Sequence, residues 1–220
     1  MSIATMILGE SGTGKTYSLR NLDPTNTLLI QSVKKPLPFR SGGWGYLSKE
    51  NPGGNVLVSD DWIFIINTMK KTRRTVIILD DFQYVLANEY MRRSEETGFQ
   101  KFSDIGRQAW EIFTHSSGLP DDVRVYFLSH TTTDDMGHVK FKSIGKLLDE
   151  KITVEGLFTV VLRTVVDGGR YQFSTKNNGY DTVKSPVEMF EADRIDNDLA
   201  AADAAICAYY EIPSKKEQVA

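Results

Sequence analysis

An α/β domain with a mainly parallel sheet is the fold class this chain predicts, and three observations predict it. Short β-branched runs alternate with helical stretches as far as His130. A glycine-rich loop, Gly9-Glu10-Ser11-Gly12-Thr13-Gly14-Lys15-Thr16, joins the first of these runs to the first helical stretch. Beyond Leu157 the pattern changes to two apolar runs joined by Gly168-Gly169, which reads as an antiparallel hairpin closing the edge of the sheet. The chain has 220 residues, 40% hydrophobic and 25% charged, enough to bury a full core without dividing. One domain is expected over residues 1–212, with a polar C-terminal tail over 213–220 that frays from Ser214 onward.

The strands expected in order are Ile3–Leu8, Thr27–Gln31, Val56–Ser59, Thr75–Asp80 and Val123–Ser129, each short, apolar and β-rich. Helices are expected near Lys15–Asn21, Asp60–Lys71, Phe82–Met91 and Ser103–Ser117. Asp60 or Asp61 suits the N-cap of the second, and Ser103 that of the fourth. The hairpin pairs Leu157–Val166 with Tyr171–Thr175. A terminal helix follows over Asn197–Tyr210, alanine-rich, with Leu199, Ala202, Ile206 and Tyr209 on one face for packing on the body. The connection from Pro36 to Asn55 is long and polar, with Gly42-Gly43 and Gly53-Gly54, and suits either an interface or a plain crossover.

The loop at residues 9–16 is a complete G-x-x-x-x-G-K-[ST] sequence between an expected strand and an expected helix, the setting in which it cradles phosphate. Glycines let successive backbone N–H groups converge on an anion, and a helix N-terminus adds a favourable dipole. Gly9, Glu10, Ser11, Gly12, Thr13, Gly14, Lys15, Thr16 and Tyr17 form the expected nucleotide cradle. Lys15 is expected to reach the β- and γ-phosphates and the Thr16 hydroxyl to hold Mg²⁺, so the cofactors expected are ATP and Mg²⁺.

A second element is the apolar strand ending Leu79-Asp80-Asp81. Ligands of open α/β sheets sit beyond the C-terminal ends of the strands, which puts Asp80 at the Mg²⁺ shell and Asp81 where it can orient or deprotonate water. The alternative for either acid is a helix N-cap. The third is Ser129-His130, at the end of a strand expected beside that of Asp80. His130, ahead of Ser129, suits a hydrogen-bonding sensor of the γ-phosphate; a purely local hydrogen bond is the competing reading. His115 and His138 have no partner at metal-ligand spacing, so zinc chemistry is not expected.

Composition narrows the classes. A formal net charge of −3 gives no global positive field, so nucleic acid would have to be met by local basic loops. A lone Cys207 excludes an internal disulfide framework and suits a reducing compartment. No apolar run has the length of a membrane span, and the first residues read as strand and phosphate loop, not signal peptide, so a cytoplasmic protein with no membrane partner is expected.

The chain resembles the phage-encoded RecA-like P-loop ATPases of the single-strand annealing group, also described as phage AAA nucleotide-binding proteins. The resemblance rests on the loop at 9–16, Lys35-Pro36-Leu37-Pro38-Phe39, Leu79-Asp80-Asp81-Phe82-Gln83-Tyr84, Gly145-Lys146-Leu147-Leu148-Asp149-Glu150-Lys151 and Lys184-Ser185-Pro186-Val187-Glu188-Met189-Phe190. It implies a RecA-like core that binds ATP, self-associates into a ring or filament, and handles single-stranded DNA in phage recombination inside a bacterial host. The loops after the strands of Asp80 and His130 are those that would contact DNA. They carry Arg92, Arg93 and Lys101 among aromatics, and Lys140, Lys142 and Lys146, although Glu95-Glu96 and Asp134-Asp135 lie among them and solvated surface charge is the alternative. The resemblance also implies basic groups acting in trans on a neighbour's γ-phosphate. Arg163, Arg170, Lys176 and Lys184 are placed for this, with Lys176 and Lys184 preferred.

Two other readings stay open: an ATP-gated interaction or loader protein that does not turn over, for which aspartate at position 81 is the cue, and a small-molecule P-loop kinase. The kinase would need an arginine-rich lid, and Arg92-Arg93 alone falls short of one. A GTPase is disfavoured because Thr175-Lys176-Asn177-Asn178 is not a guanine-reading sequence.

Overall fold

The computed structural model describes residues 1–145 and 151–213. The expected Lys146 contact and the tail from Ser214 lie outside the described residues. The strands are β1 (Ile3–Leu8), β2 (Thr27–Gln31), β3 (Val56–Val58), β4 (Val76–Asp80), β5 (Arg124–Ser129), β6 (Thr131–Thr133), β7 (Val139–Phe141), β8 (Val160–Asp167), β9 (Arg170–Ser174) and β10 (Arg194–Asp196). The α-helices are α1 (Trp62–Lys71), α2 (Gln83–Arg92), α3 (Gln100–Ser117) and α4 (Leu199–Tyr209).

Eight strands form one sheet in the order β10-β9-β8-β1-β5-β4-β2-β3, and β6 with β7 makes a separate hairpin. From β8 to β3 every neighbouring pair is parallel, while β9 and β10 add antiparallel ladders. The mainly parallel α/β fold is therefore present. The expected hairpin is present as β8 and β9, but it is not the sheet edge, because β10 pairs beyond it.

Alternating side chains on the central strands feed two cores. Met6, Leu8, Ile77, Leu79, Val125 and Phe127 pack against buried residues of α1, α2 and α3, such as Ile65, Leu86 and Phe113. Ile7, Ile78, Tyr126 and Leu128 point the other way, onto Leu19, Leu199, Ala202 and Ile206. Helix α4 is also fixed to β5 by ionic bonds, Arg124 Nε to Asp203 Oδ1 at 2.9 Å and Nη2 to Oδ2 at 3.0 Å.

Several boundaries differ from expectation for local reasons. The stretch after the phosphate loop is a six-residue 3₁₀ helix, Thr16–Asn21, not an α-helix. The Ser18 hydroxyl donates to the Lys15 carbonyl at 2.6 Å, competing for the acceptor an α-turn would use, and Pro24 soon forces the chain out toward β2. Helix α3 starts at Gln100, so Ser103 lies inside it and is not its N-cap. Asp61 caps α1 by accepting the Phe64 N–H at 3.0 Å. The residues Val154–Leu157 form a 3₁₀ turn, which delays the start of β8 to Val160. Helix α4 buries Leu199, Ala202 and Ile206, while Tyr209, expected on the same face, is 44% exposed.

The connection from Pro36 to Asn55 lies on the body. Asn55, buried, donates to the carbonyls of Pro24 at 2.7 Å and Gly43 at 3.2 Å and accepts the Gly45 N–H at 2.9 Å. Leu37, Phe39 and Trp44 pack on the second core.

Candidate functional site

The C-terminal ends of β1, β2, β4 and β5 meet at one edge of the sheet, and the residues that follow them converge there. Register fixes their heights: Leu8 pairs with Ser129 on one side of β5, and Gln31 pairs with Asp80 across β2 and β4. Strand β5 sits between β1 and β4, which puts His130 between the phosphate loop and the two aspartates. Ser11, Gly12, Gly14, Lys15, Thr16, Tyr17, Val33, Lys35, Pro38, Asp81, Tyr84, His130 and Tyr171 line a cleft of about 500 Å³. Open α/β sheets place ligands in this position.

The loop is held in shape by its glycines and by β8. Gly14 has φ of +97°, and a side chain there would lie 2.9 Å from the Tyr171 ring and 3.1 Å from Asn197. At Gly9 a Cβ would overlap the Thr164 hydroxyl at 1.8 Å. The Thr164 and Thr13 hydroxyls are 2.6 Å apart, tying the crest of the loop to β8, and the Gly9 N–H donates to the Ser129 carbonyl at 3.2 Å. Lys15 folds beneath the loop and donates to the carbonyls of Gly9 and Glu10, both at 2.8 Å. Burial lowers its pKa to about 8, against the opposing pull of Asp81 and Asp80.

Behind the loop, Thr16 Oγ1 donates to Asp80 Oδ1 at 2.9 Å, with Oδ2 at 3.2 Å, across 64 residues of sequence. Asp80 is 0% exposed. Burial, and then the charge of Asp81, pushes its pKa up to about 6, despite Lys35, Thr16 and Lys15. A hydroxyl oxygen beside a buried carboxylate is the all-oxygen donor set that suits Mg²⁺. Among the described residues no group of three or more His, Cys, Asp or Glu side chains could hold a metal, so such an ion would complete its shell with water and phosphate.

Asp81 takes the left-handed conformation, φ +56°, which a short acidic side chain tolerates and which turns its carboxylate from the sheet into the cleft. Its Oδ1 lies 3.5 Å from His130 Nε2, and its Oδ2 is ion-paired to Lys35 Nζ. Burial favours the neutral acid, but the hydrogen bonds from His130 and Lys35 outweigh it and hold Asp81 below the usual carboxylate range. The Tyr84 ring meets the His130 ring edge to face at 6.1 Å.

The structure therefore brings Lys15, Thr16, Asp80, Asp81 and His130 together. It adds residues to which the sequence assigned no role in the site. Thr164 braces the loop, and Lys35 enters from the connection after β2. Tyr171 of β9 stands 6.1 Å from Tyr17, making an aromatic wall at the other end of the cleft. Asn197 packs against Gly14, is 2% exposed, and has neither amide atom hydrogen-bonded within the described residues. Tyr17 carried a signal by its position after the loop, and Lys35 only by lying in one of the stretches that carry the resemblance.

The basic candidates elsewhere are dispersed. Arg92 pairs with Asp60 at 2.9 Å and Glu89 at 3.1 Å, and Arg93 with Glu96 at 2.8 Å and Asp104 at 2.9 Å. Lys101 is a correction. It is 7% exposed, and its ammonium donates to the carbonyls of Glu96 at 2.7 Å, Arg93 at 3.2 Å and Ser94 at 3.3 Å, so it braces the α2–α3 turn and does not face a surface. Lys140 lies on β7, and exposed Lys142 follows it, donating its N–H to the His130 carbonyl at 2.9 Å. Lys176 is ion-paired to Asp193 at 2.6 Å, Arg163 lies 3.4 Å from Asp181, and Lys184 bridges β8 through its backbone with its side chain exposed, while Arg170 opens β9 at the surface. None of these four lines the cleft.

Searches of protein-family models and of curated proteins found no match to this chain. Among the described residues no helix is long and apolar enough to cross a membrane.

Proposed function

We propose that the cleft binds ATP with Mg²⁺ and hydrolyses it, and that this RecA-like P-loop ATPase couples turnover to single-stranded DNA in recombination or annealing, as a self-associating protein of the host cytoplasm. The observation that carries the nucleotide reading is the bond from Thr16 to Asp80. It joins the two halves of a phosphate and metal site at the one edge of the sheet where Lys15 and Asp81 also lie. In this reading the loop amides and Lys15 hold the phosphates, and Thr16 and Asp80 hold Mg²⁺, which when bound would withdraw charge from the phosphate oxygens. Asp81 accepts a proton from water as the water oxygen bonds to the γ-phosphorus and the bond to the β-bridging oxygen breaks. His130, 3.5 Å from Asp81, hydrogen-bonds the γ-phosphate region. Tyr17 and Tyr171 offer faces on which the base stacks.

The link to DNA is supported by chain path: β6 and β7 leave directly from His130, and Lys142 returns to its carbonyl, so the hairpin that carries Lys140 and Lys142, with Asp134 and Asp135 between its strands, shares a backbone with His130. A second reading, ATP-gated binding without turnover, is favoured by one observation. The water-handling carboxylate is already engaged by Lys35. The kinase reading loses ground, since no arginine is among the residues lining the cleft.

Steady-state ATP hydrolysis, with and without single-stranded DNA and with Lys15→Ala as blank, tests the proposal. DNA-stimulated turnover that vanishes in the blank is the expected result. Tight ATP binding without turnover would transfer the function to the gated reading, and DNA-indifferent turnover would remove the recombination role.

A further inference from the structure

The connection leaving β2 delivers a second lysine to the phosphate cleft, and its anchoring is specific. Gln31, the last residue of β2 and 1% exposed, lies in register with Asp80, and its Nε2 donates to the Lys35 carbonyl at 3.2 Å. The Ser32 N–H donates to the Asp80 carbonyl at 3.2 Å. The root of the connection is thus pinned to the strand that carries both carboxylates. From that root the Lys35 side chain, 41% exposed, crosses to the Asp81 carboxylate, 46 residues away in sequence, and lines the cleft with Lys15, Thr16 and His130. A fixed root with a half-solvated head on a four-carbon stem can change partners without moving the backbone.

Charge balance gives that mobility a purpose. Two adjacent carboxylates, Asp80 and Asp81, stand at the back of the cleft, and Lys15 compensates only one of them. Lys15 is also committed to the loop carbonyls. In the metal-free cleft, loss of Lys35 would leave one of the two carboxylate charges uncompensated where a polyphosphate enters, and Lys35 is the cation nearest Asp81, the carboxylate that Thr16 does not engage.

We propose that Lys35 is a second phosphate cation supplied in cis, which leaves the Asp81 carboxylate to meet the terminal phosphate of a bound nucleoside triphosphate and so frees Asp81 to face water. The inference rests on the nucleotide reading above. It assigns to the same chain a charge-neutralising role that the resemblance would give to Lys176 or Lys184 of a neighbour.

The test is the ratio of ATP to ADP affinity, measured by calorimetry with Mg²⁺ for the full chain, Lys35→Ala, Lys35→Arg and Lys15→Ala. Loss of a charge-assisted hydrogen bond to the γ-phosphate predicts that Lys35→Ala weakens ATP about 10- to 100-fold while ADP changes less than about threefold. Lys35→Arg should recover most of the ATP affinity. Because Lys35→Ala leaves the buried Asp81 carboxylate with His130 alone, the same ratio is read in Lys35→Ala with Asp81→Asn against Asp81→Asn by itself, and it should fall there too. An unchanged ratio in a chain that binds ATP, or equal losses for ATP and ADP, overturns the inference and makes Lys35 a counterion of Asp81. Failure of the unaltered chain to bind ATP, or full binding by Lys15→Ala, overturns the nucleotide reading and this inference with it.

Discussion

The cleft beyond the C-terminal ends of β1, β4 and β5 and the turn between α2 and α3 are both crowded with charge, and they use it in opposite ways. Around the cleft, partners come from distant segments and the acids are buried: Asp80 with Thr16, Asp81 with the half-exposed Lys35. At the α2–α3 turn Arg92 and Arg93 find Glu89, Glu96 and Asp104 nearby in sequence, with Asp60 the one distant acid, and Lys101 ties off nearby carbonyls. The pKa values separate the two further. In the cleft, burial pushes Asp80 up to about 6 and Lys15 down to about 8, so both are held away from their preferred charge. At the turn, hydrogen bonds from Arg93 hold Glu96 and Asp104 below their usual range, so the charges there are stabilised. Asp81 in the cleft is stabilised by His130 and Lys35, so the contrast rests on Asp80 and Lys15, whose burial against their charge is the perturbation that clusters at functional sites.

The largest effect that would sharpen this contrast is a gain in stability from damaging the cleft. Asp80 has a folded-state pKa of about 6 against an ordinary value of 3.8. A carboxyl raised in this way adds stability below pH 4 and loses it as pH rises through 6, so at pH 8 the ionised group opposes folding. Asp80→Asn keeps an acceptor for the Thr16 hydroxyl and removes the buried charge. It should be more stable than the parent by up to about 3 kcal/mol at pH 8, with the gap closing below pH 4. Urea unfolding at pH 8, 6 and 4 measures this, and a variant destabilised at pH 8 would mean that Asp80 is a structural bond, not a strained ligand.

The turn should answer with the opposite sign. Lys101→Met keeps the length of the stem packed near Tyr90 and removes three hydrogen bonds to carbonyls. Loss of about 1 to 3 kcal/mol is expected, from carbonyls left without their charged donor. An equilibrium unfolding curve indistinguishable from that of the parent would show those carbonyls satisfied by solvent and erase the difference between turn and cleft.

Legibility in the sequence follows the same divide. The strands β1, β4 and β5, the phosphate loop and the residues at its far side are readable because each is a local pattern: an apolar run, glycines at fixed offsets, an acid or imidazole where the run ends. What cannot be read is whatever one segment does to another. Lys35 and Gln31 look like ordinary polar residues until β2 pairs with β4, and Thr164, Tyr171 and Asn197 reach the loop only because β8, β9 and β10 stack beside β1. The three-residue strands β6, β7 and β10 are too short to carry a period and, unlike the equally short all-apolar β3, each include polar residues. Lys101 misleads because a basic residue flanked by Gln100 and Phe102 has the composition of a nucleic-acid surface, and composition does not report which carbonyls a fold turns toward an ammonium.

The smallest expected effect separates surface charge from a DNA-binding role. Arg92 is half exposed and shares Asp60 and Glu89, and exposed ion pairs of this kind contribute little because solvent screens them and the long side chain must be immobilised. Arg92→Ala should change stability by less than about 1 kcal/mol. If the pairs are also its whole role, the salt dependence of single-stranded DNA binding should keep its slope. A fall of about 0.7 in that slope would correspond to one fewer DNA phosphate neutralised and would make the α2–α3 turn part of the nucleic-acid surface. An unchanged slope would leave Lys140 and Lys142 of the β6–β7 hairpin, which starts at His130 and returns to its carbonyl, as the cations through which DNA could act on the cleft.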